Sequence, residues 1–130
     1  MSSSPSRRWW VPAVCGLVAG AVLVSVLSWE RTTVVQSVRQ PASVSYPDGS
    51  EHYAVVRRRD SLGAPVVGGT RHELWLGRDP GLAYGHVVAL GFTGADVERV
   101  DVRWTERGVE VRFASGHTIF VPAGSFTGGR

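Results

Sequence analysis

The sequence of 130 residues contains no lysine and no asparagine, and it has a single cysteine, Cys15. A lone cysteine excludes an intramolecular disulfide and any metal site built from several cysteines. All 14 basic residues are arginine, against 11 acidic residues, which gives a formal net charge of +3. Proteins that bind nucleic acid through its phosphates carry a stronger basic excess, so the charge balance argues against a nucleic-acid partner.

Charge is also missing from a long stretch near the start of the chain, where 21 consecutive residues from Trp9 to Trp29 are uncharged. As a helix this stretch would be about 30 Å long, roughly the thickness of the hydrocarbon core of a bilayer. Arg7 and Arg8 precede it, and basic residues favour the cytoplasmic side. We therefore expect a cytoplasmic tail at 1–8, a transmembrane signal anchor at 9–29 and an extracytoplasmic remainder in the cell envelope.

Two other interpretations of the N-terminal stretch compete with an uncleaved anchor. The segment Ser6–Val11 resembles a twin-arginine export signal, with two arginines followed by apolar residues. A signal peptidase would need small residues before its cut, and the segment from Val26 to Ser28 is the best candidate for that cut. Cleavage would release a soluble exported domain. The residues before Cys15 do not fit a lipoprotein signal.

Gly16 and Gly20 form a G-x-x-x-G pair within the apolar stretch. This spacing places both glycines on one face of a helix, where two helix backbones can approach closely. Gly16 and Gly20 are therefore a candidate face through which two copies of the helix could form a homodimer.

After Arg31 the apolar residues follow a period of two, which is typical of half-buried strands. The pattern is clearest from Val100 to Phe113, where apolar and polar residues alternate on both sides of Glu106–Gly108. A second hairpin is expected across Pro47–Ser50, between strands at 43–46 and 52–58. Residues 30–41 read as a stalk or first strand. The sequence predicts an all-β domain at 42–130, a small antiparallel sandwich or barrel of about seven strands, with no helix outside the membrane span.

Three segments of the second half of the chain carry a family resemblance: ELWLGRDPGLAYGH, VRWTERGVEVRFASGH and SFTGGR. Together with the N-terminal apolar stretch, they make the chain similar to a set of uncharacterised actinobacterial single-pass membrane proteins with a small all-β extracytoplasmic domain. The resemblance covers about the last 60 residues and the anchor. It implies a location in the cell envelope and assigns no catalytic role to any residue.

The four histidines are widely spread, at His52, His72, His86 and His117. None of them forms a short metal-binding motif, and the glycines of Gly124–Gly128 do not have the spacing of a nucleophile elbow. The sequence therefore predicts no catalytic residue, no cofactor and no metal ligand, and the chain is not expected to be an enzyme. A cell-wall hydrolase or a metal-dependent enzyme whose histidines meet only in the fold remains an alternative.

The only run of like charge is Arg57-Arg58-Arg59, directly before Asp60. Consecutive residues of a strand point to opposite faces, so the three side chains cannot all face one way. The usual meaning of such a run is a solvated strand end. The alternative is that Arg57, Arg58 and Arg59 contact phosphate groups of lipids or of anionic wall polymers.

Trp75 is the most informative aromatic residue of the second half. Strand alternation places Leu74 and Leu76 on one face and Trp75 on the other. If the leucines form the core, Trp75 is partly exposed and forms a candidate contact patch with Tyr84 and His86. If the sheet is covered on both faces, Trp75 belongs to the core.

Taken together, these patterns favour a membrane-anchored extracytoplasmic module of the cell envelope. A small β domain offers edge strands and loops to a protein partner, and this chain lacks the residue clusters on which catalysis depends. We expect a binding or accessory role with a protein partner.

Overall fold

A computed structural model of the chain describes residues 10–27, 29–61, 69–91 and 95–128. The elements in chain order are α1 (Trp10–Leu27), β1 (Glu30–Arg39), β2 (Tyr53–Ser61), β3 (Thr70–Gly77), β4 (Gly85–Leu90), a 3-10 turn (Ala95–Val97), β5 (Val100–Thr105), β6 (Gly108–Phe113), β7 (Thr118–Pro122) and α2 (Ala123–Phe126). The predicted tail at 1–8, residues 6–9 of the export motif, Ser28 of the cleavage candidate and residues 62–68 lie outside the described residues.

The chain divides into two compact units, one made of residues 1–31 and 60–69 and the other of residues 32–59 and 70–130. The first unit contains α1, and the described side chains of this helix, at residues 10–26, are exposed. No helix within the described ranges combines the length and the apolar character that crossing a membrane requires. The membrane span at 9–29 therefore stays a prediction without support from α1.

Gly16 and Gly20 lie in the middle of α1 with open space around them. A Cβ atom added to either glycine would meet no described atom within 4 Å. Residues four apart share a helix face, so the two glycines form a flat strip along α1. The dimer through this strip stays a prediction.

The β domain consists of two antiparallel sheets, in the orders β1-β2-β3-β4 and β5-β6-β7. The all-β class and the seven strands predicted from the sequence are confirmed. One cluster of buried residues draws on both sheets, with Leu74 and Leu76 from the first and Val109 and Val111 from the second, all 0% exposed. Because the sheets pack across this shared core, the architecture is a sandwich. Each fully buried valine or leucine contributes roughly 1.5–3 kcal/mol to folding.

The hairpin with the clearest alternation forms as predicted. In the β5–β6 pair Val100 lies opposite Phe113, and Thr105 lies opposite Gly108. The turn ends at Gly108, whose φ of +153° is one that side chains rarely adopt, and an added Cβ there would meet Pro122 Cα at 2.9 Å. Glycine at this position therefore allows β7 to pack closely against the start of β6.

The second predicted hairpin was wrong, because residues 43–46 do not form a strand. The turn itself is present, with the Gly49 amide donating to the Tyr46 carbonyl at 3.0 Å. The preceding segment is held by a side chain instead, since Gln40 Nε2 donates to the Val44 carbonyl at 2.7 Å.

Residues 30–41 were expected to form either a stalk or a first strand, and in the structure they contain the first strand, β1. The expectation of no helix outside the N-terminal stretch was also wrong at α2, a single turn that packs against β4, β6 and β7.

One side chain joins an edge of the first sheet to an edge of the second. Gln36 in β1 donates from Nε2 to the Val100 carbonyl at 3.0 Å and accepts from the Val100 amide at 3.0 Å. The amide side chain thus makes the two hydrogen bonds that a neighbouring strand would make to Val100. This contact closes the β1 side of the sandwich.

Candidate functional site

Trp75 is buried, with 1% of its surface exposed, so the contact patch expected around an exposed Trp75 does not form. Leu74 and Leu76 belong to the core between the sheets, and Trp75 lies on the opposite face of β3. Its ring packs over Gly77 and Gly85, where an added Cβ would meet Trp75 Cζ2 at 2.6 Å in both cases. The first sheet is therefore buried on both faces at this point, which is the second of the two alternatives for Trp75.

Tyr84 and His86, the other two residues of the predicted patch, do lie together. With Ser125 and Phe126 of α2 they line a depression of about 280 Å³. An adjoining depression of about 210 Å³ is lined by Tyr84, Phe126 and Arg78 among others. Tyr84 is 61% exposed and His86 is half-buried. We call these two depressions, lined by Arg78, Tyr84, His86, Ser125 and Phe126, the β4 groove.

The β4 groove runs beside an edge strand whose own sequence carries no protective residue. Among the described strands β4 pairs only with β3, from Gly85 opposite Gly77 to Leu90 opposite His72. Its sequence, GHVVAL, contains no Asp, Glu, Lys or Arg and no proline, and Val87 is 43% exposed. Natural edge strands usually carry charged residues or proline, which prevent pairing with other chains. The other three edge strands have them: Glu30, Arg31 and Arg39 in β1, Asp101 and Arg103 in β5, and Pro122 in β7.

The arginine run does not present three guanidinium groups to one partner. Arg57 donates from Nε to Glu73 Oε2 at 2.8 Å, and Arg59 Nη1 lies 3.5 Å from Glu73 Oε1. Arg58 points to the other side of β2, where it is exposed and lines a cleft of about 430 Å³ with His72 and Glu98. Strand alternation thus divides the run, and Glu73 pairs with Arg57 and Arg59. The contact of Arg57, Arg58 and Arg59 with phosphate groups stays a prediction.

The four histidines occupy four different environments. His52 is fully buried, His72 is 8% exposed with no partner for Nδ1 among the described residues, and His86 lines the β4 groove. His117 is exposed, with Nδ1 2.9 Å from Ser115 Oγ. Within the described residues, no group of three or more His, Cys, Asp and Glu side chains is placed to hold a metal ion.

A buried polar cluster around His52 has no counterpart in the sequence-based predictions. His52 Nδ1 lies 3.0 Å from Gln40 Oε1, and His52 Nε2 lies 3.1 Å from Asp48 Oδ2. Arg78 Nη2 approaches the same Asp48 oxygen at 3.1 Å and also donates to the Thr127 carbonyl at 2.9 Å. The cluster therefore joins β1, the turn before β2, the end of β3 and the segment after α2. Sequence alone offers one weak signal, the separation of Asp48 and His52 by four residues.

Aromatic rings enclose this polar cluster. The rings of Tyr46 and Phe126 each meet the His52 ring edge to face, at a centroid distance of 5.3 Å. Burial raises the pKa of Tyr46 to about 12. Burial also lowers the pKa of His52, and the neighbouring Asp48 carboxylate partly opposes that effect. His52 is therefore held neutral near pH 7 beside a carboxylate that would stabilise its charged form.

No protein-family model matches this sequence, and no curated protein or solved structure shows significant similarity to it. The likeness to actinobacterial membrane-anchored proteins stays a prediction for that reason. The functional interpretation therefore depends on the β4 groove and on the edge strand beside it.

Proposed function

We propose that this protein is a membrane-anchored binding module of the cell envelope, whose β domain takes an extended segment of a partner protein as an additional strand on β4. The observation that carries the proposal is the edge of β4, which has no charged residue and no proline and exposes Val87, with the exposed Tyr84 directly before it and a groove beside it. Strand addition is a common way in which sheet edges recognise peptides.

Main-chain groups would supply most of the affinity. Each residue of β4 brings one amide and one carbonyl, and in an edge strand about half of these point away from the sheet. An incoming strand would satisfy them in regular order, without requiring one particular sequence. The exposed side chains of Val87 and of Tyr84, which directly precedes β4, would add apolar contact to the partner strand.

The edge is already rigid, which reduces the entropy cost of binding. Six consecutive residue pairs tie β4 to β3, and Leu90 at its end is buried in the core between the sheets. Behind β4, the ring of Trp75 fills the space over Gly77 and Gly85. A partner strand would therefore meet a surface that needs little rearrangement.

The membrane-anchored part of the proposal is supported by the sequence. The uncharged run from Trp9 to Trp29 directly follows Arg7 and Arg8 in the chain. On this basis the N-terminus is cytoplasmic and the β domain lies outside the cell membrane. Mass spectrometry of the intact protein from washed membranes tests it: retention of Met1 supports the anchor, and a mature chain that starts near Trp29 supports the released alternative.

Photo-crosslinking in native membranes tests strand addition. A photoreactive amino acid replaces Ala89, which is exposed on β4, and crosslinked products are identified by mass spectrometry. We expect a partner protein joined through an extended segment, and we expect Val87→Lys to remove the product because a lysine there places a charge on the edge. Thr118→Lys, on the exposed edge strand β7, is the matched control and leaves the product in place.

The same experiment can overturn the proposal in two ways. Crosslinking of Ala89 only to a second copy of this chain would assign the β4 edge to self-association. A product that survives Val87→Lys and disappears with Thr118→Lys would move the binding surface to β7.

A further inference from the structure

His52 is flanked by hydrogen-bond acceptors on both ring nitrogens. Gln40 Oε1 accepts the His52 main-chain amide at 3.0 Å, while Gln40 Nε2 donates to Val44, so the orientation of this side-chain amide is set from two directions. Its oxygen therefore faces His52 Nδ1 at 3.0 Å. On the other side of the ring, Asp48 Oδ2 faces Nε2 at 3.1 Å.

A neutral imidazole carries one N–H and can satisfy only one of these two acceptors. With the proton on Nδ1, the lone pair of Nε2 faces a carboxylate oxygen. Asp48 Oδ2 forms an ion pair with Arg78 at 3.1 Å but no hydrogen bond with His52 Nε2, although the two atoms are only 3.1 Å apart, which fits that state. A second proton on Nε2 would give Asp48 a charge-assisted hydrogen bond in place of a repulsive contact.

Protonation of His52 also affects Arg78, because both groups share Asp48 Oδ2. The imidazolium would compete for the carboxylate and repel the guanidinium, and Arg78 has room to leave since its side chain is 44% exposed. Arg78 Nη2 also holds the Thr127 carbonyl at 2.9 Å, directly after Ser125 and Phe126 of the β4 groove. Release of Arg78 would therefore loosen one wall of the groove.

We propose that Asp48, His52 and Arg78 form an acid-responsive latch that holds the β4 groove in its binding shape near neutral pH and releases it on acidification. This inference rests on the proposed function of the β4 groove. The latch would make the module lose its partner strand in an acidic environment, and the sensing group is fully buried away from the partner.

The groups that face His52 are few. Asp48 and Tyr46 come from the turn before β2, Arg78 from the end of β3, and Gln40 and Phe126 bring no charge. Tyr46 stays neutral across the acidic range because burial raises its pKa to about 12. The response therefore depends on the charge of His52 between Asp48 and Arg78. Its pH midpoint lies below the ordinary histidine pKa of about 6.5, because burial lowers the pKa of His52.

NMR on the full chain in detergent micelles tests the latch without any partner. The side-chain nitrogens of His52 and the main-chain amides of Ser125 and Thr127 are followed from about pH 8 to pH 5, a range that brackets the ordinary histidine pKa. We expect all of them to shift with one shared midpoint below about 6.5. His52→Gln should abolish the amide shifts, whereas His117→Gln, which changes an exposed histidine, should preserve them.

A second variant keeps the test informative if His52→Gln does not fold. Arg78→Gln leaves His52 in place, so the His52 nitrogens still titrate while the shifts of Ser125 and Thr127 are lost. Amide shifts that persist in Arg78→Gln, or that are absent from the unmodified protein while His52 titrates, would overturn the latch.

Crosslinking at Ala89 separates failure of the latch from failure of the binding function. The yield should fall about fivefold or more on acidification, the low end of ordinary coupling between two sites. An unchanged yield would overturn the latch and leave strand addition standing. No partner at any pH, together with the expected NMR titration, would overturn strand addition and leave the Asp48–His52–Arg78 response intact.

Discussion

The two edges of the first sheet, β1 and β4, are built in opposite ways. β1 carries Glu30, Arg31 and Arg39, and its Gln36 side chain is hydrogen-bonded to β5 of the second sheet. β4 has neither a charged residue nor a bridging side chain among the hydrogen bonds described for it, and it exposes Val87, with the exposed Tyr84 directly before it. One edge is closed by the chain itself and the other is left open. The comparison suggests that an edge without protective residues has been left available for a partner.

Replacing Trp75 by alanine should have the largest effect on the β4 side. The ring is 1% exposed, so its removal leaves a cavity behind β4 and should lower the free energy of unfolding by about 3–5 kcal/mol. The matched control is Tyr84→Ala, which removes a ring that is 61% exposed and should change stability by about 0.5 kcal/mol or less. Urea denaturation measures both, and similar small losses would mean that Trp75 is a surface residue after all.

Removing the bridge at β1 should have an intermediate effect. Gln36→Ala loses two hydrogen bonds of 3.0 Å to Val100 and leaves two main-chain groups without those partners. We expect a loss of about 1–3 kcal/mol in the free energy of unfolding, together with faster amide hydrogen exchange at Val100. Ser37→Ala, at the exposed neighbouring position, is the control. A neutral result for Gln36→Ala would show that the difference between the two edges does not depend on this bridge.

The smallest expected effect is the pH dependence from His52. Burial lowers the pKa of His52 in the folded state, so between that value and about 6.5 the unfolded chain binds more protons. The contribution of His52 is therefore fully present above about pH 6.5 and is lost as the pH falls, with a slope of at most about 1.4 kcal/mol per pH unit. Denaturation from neutral to mildly acidic pH gives the free energy of unfolding of the unmodified protein and of His52→Gln. The difference between the two isolates the contribution of His52. A difference that grows toward acidic pH would contradict this sign.

Local patterns explain what could be predicted. The β5–β6 hairpin needs only alternation on both sides of a turn, so Val100 to Phe113 could be assigned from neighbouring residues. Tyr84 and His86 could be grouped because they are only two positions apart in the sequence. The burial of Trp75 could not be decided from such patterns, since it depends on whether the second face of the sheet is covered. The His52 cluster was missed because Gln40 and Arg78 are far from it in sequence.

The sequence by itself determined the all-β class, the division of Arg57, Arg58 and Arg59 between two faces, and the absence of charge in β4. These properties follow from composition and from the period of two in a strand. The tertiary structure decided that β4 is an edge strand and that Asp48, His52 and Arg78 meet. Both outcomes depend on contacts between residues distant in sequence, because edges and buried polar clusters arise only when strands take their order in the sheet.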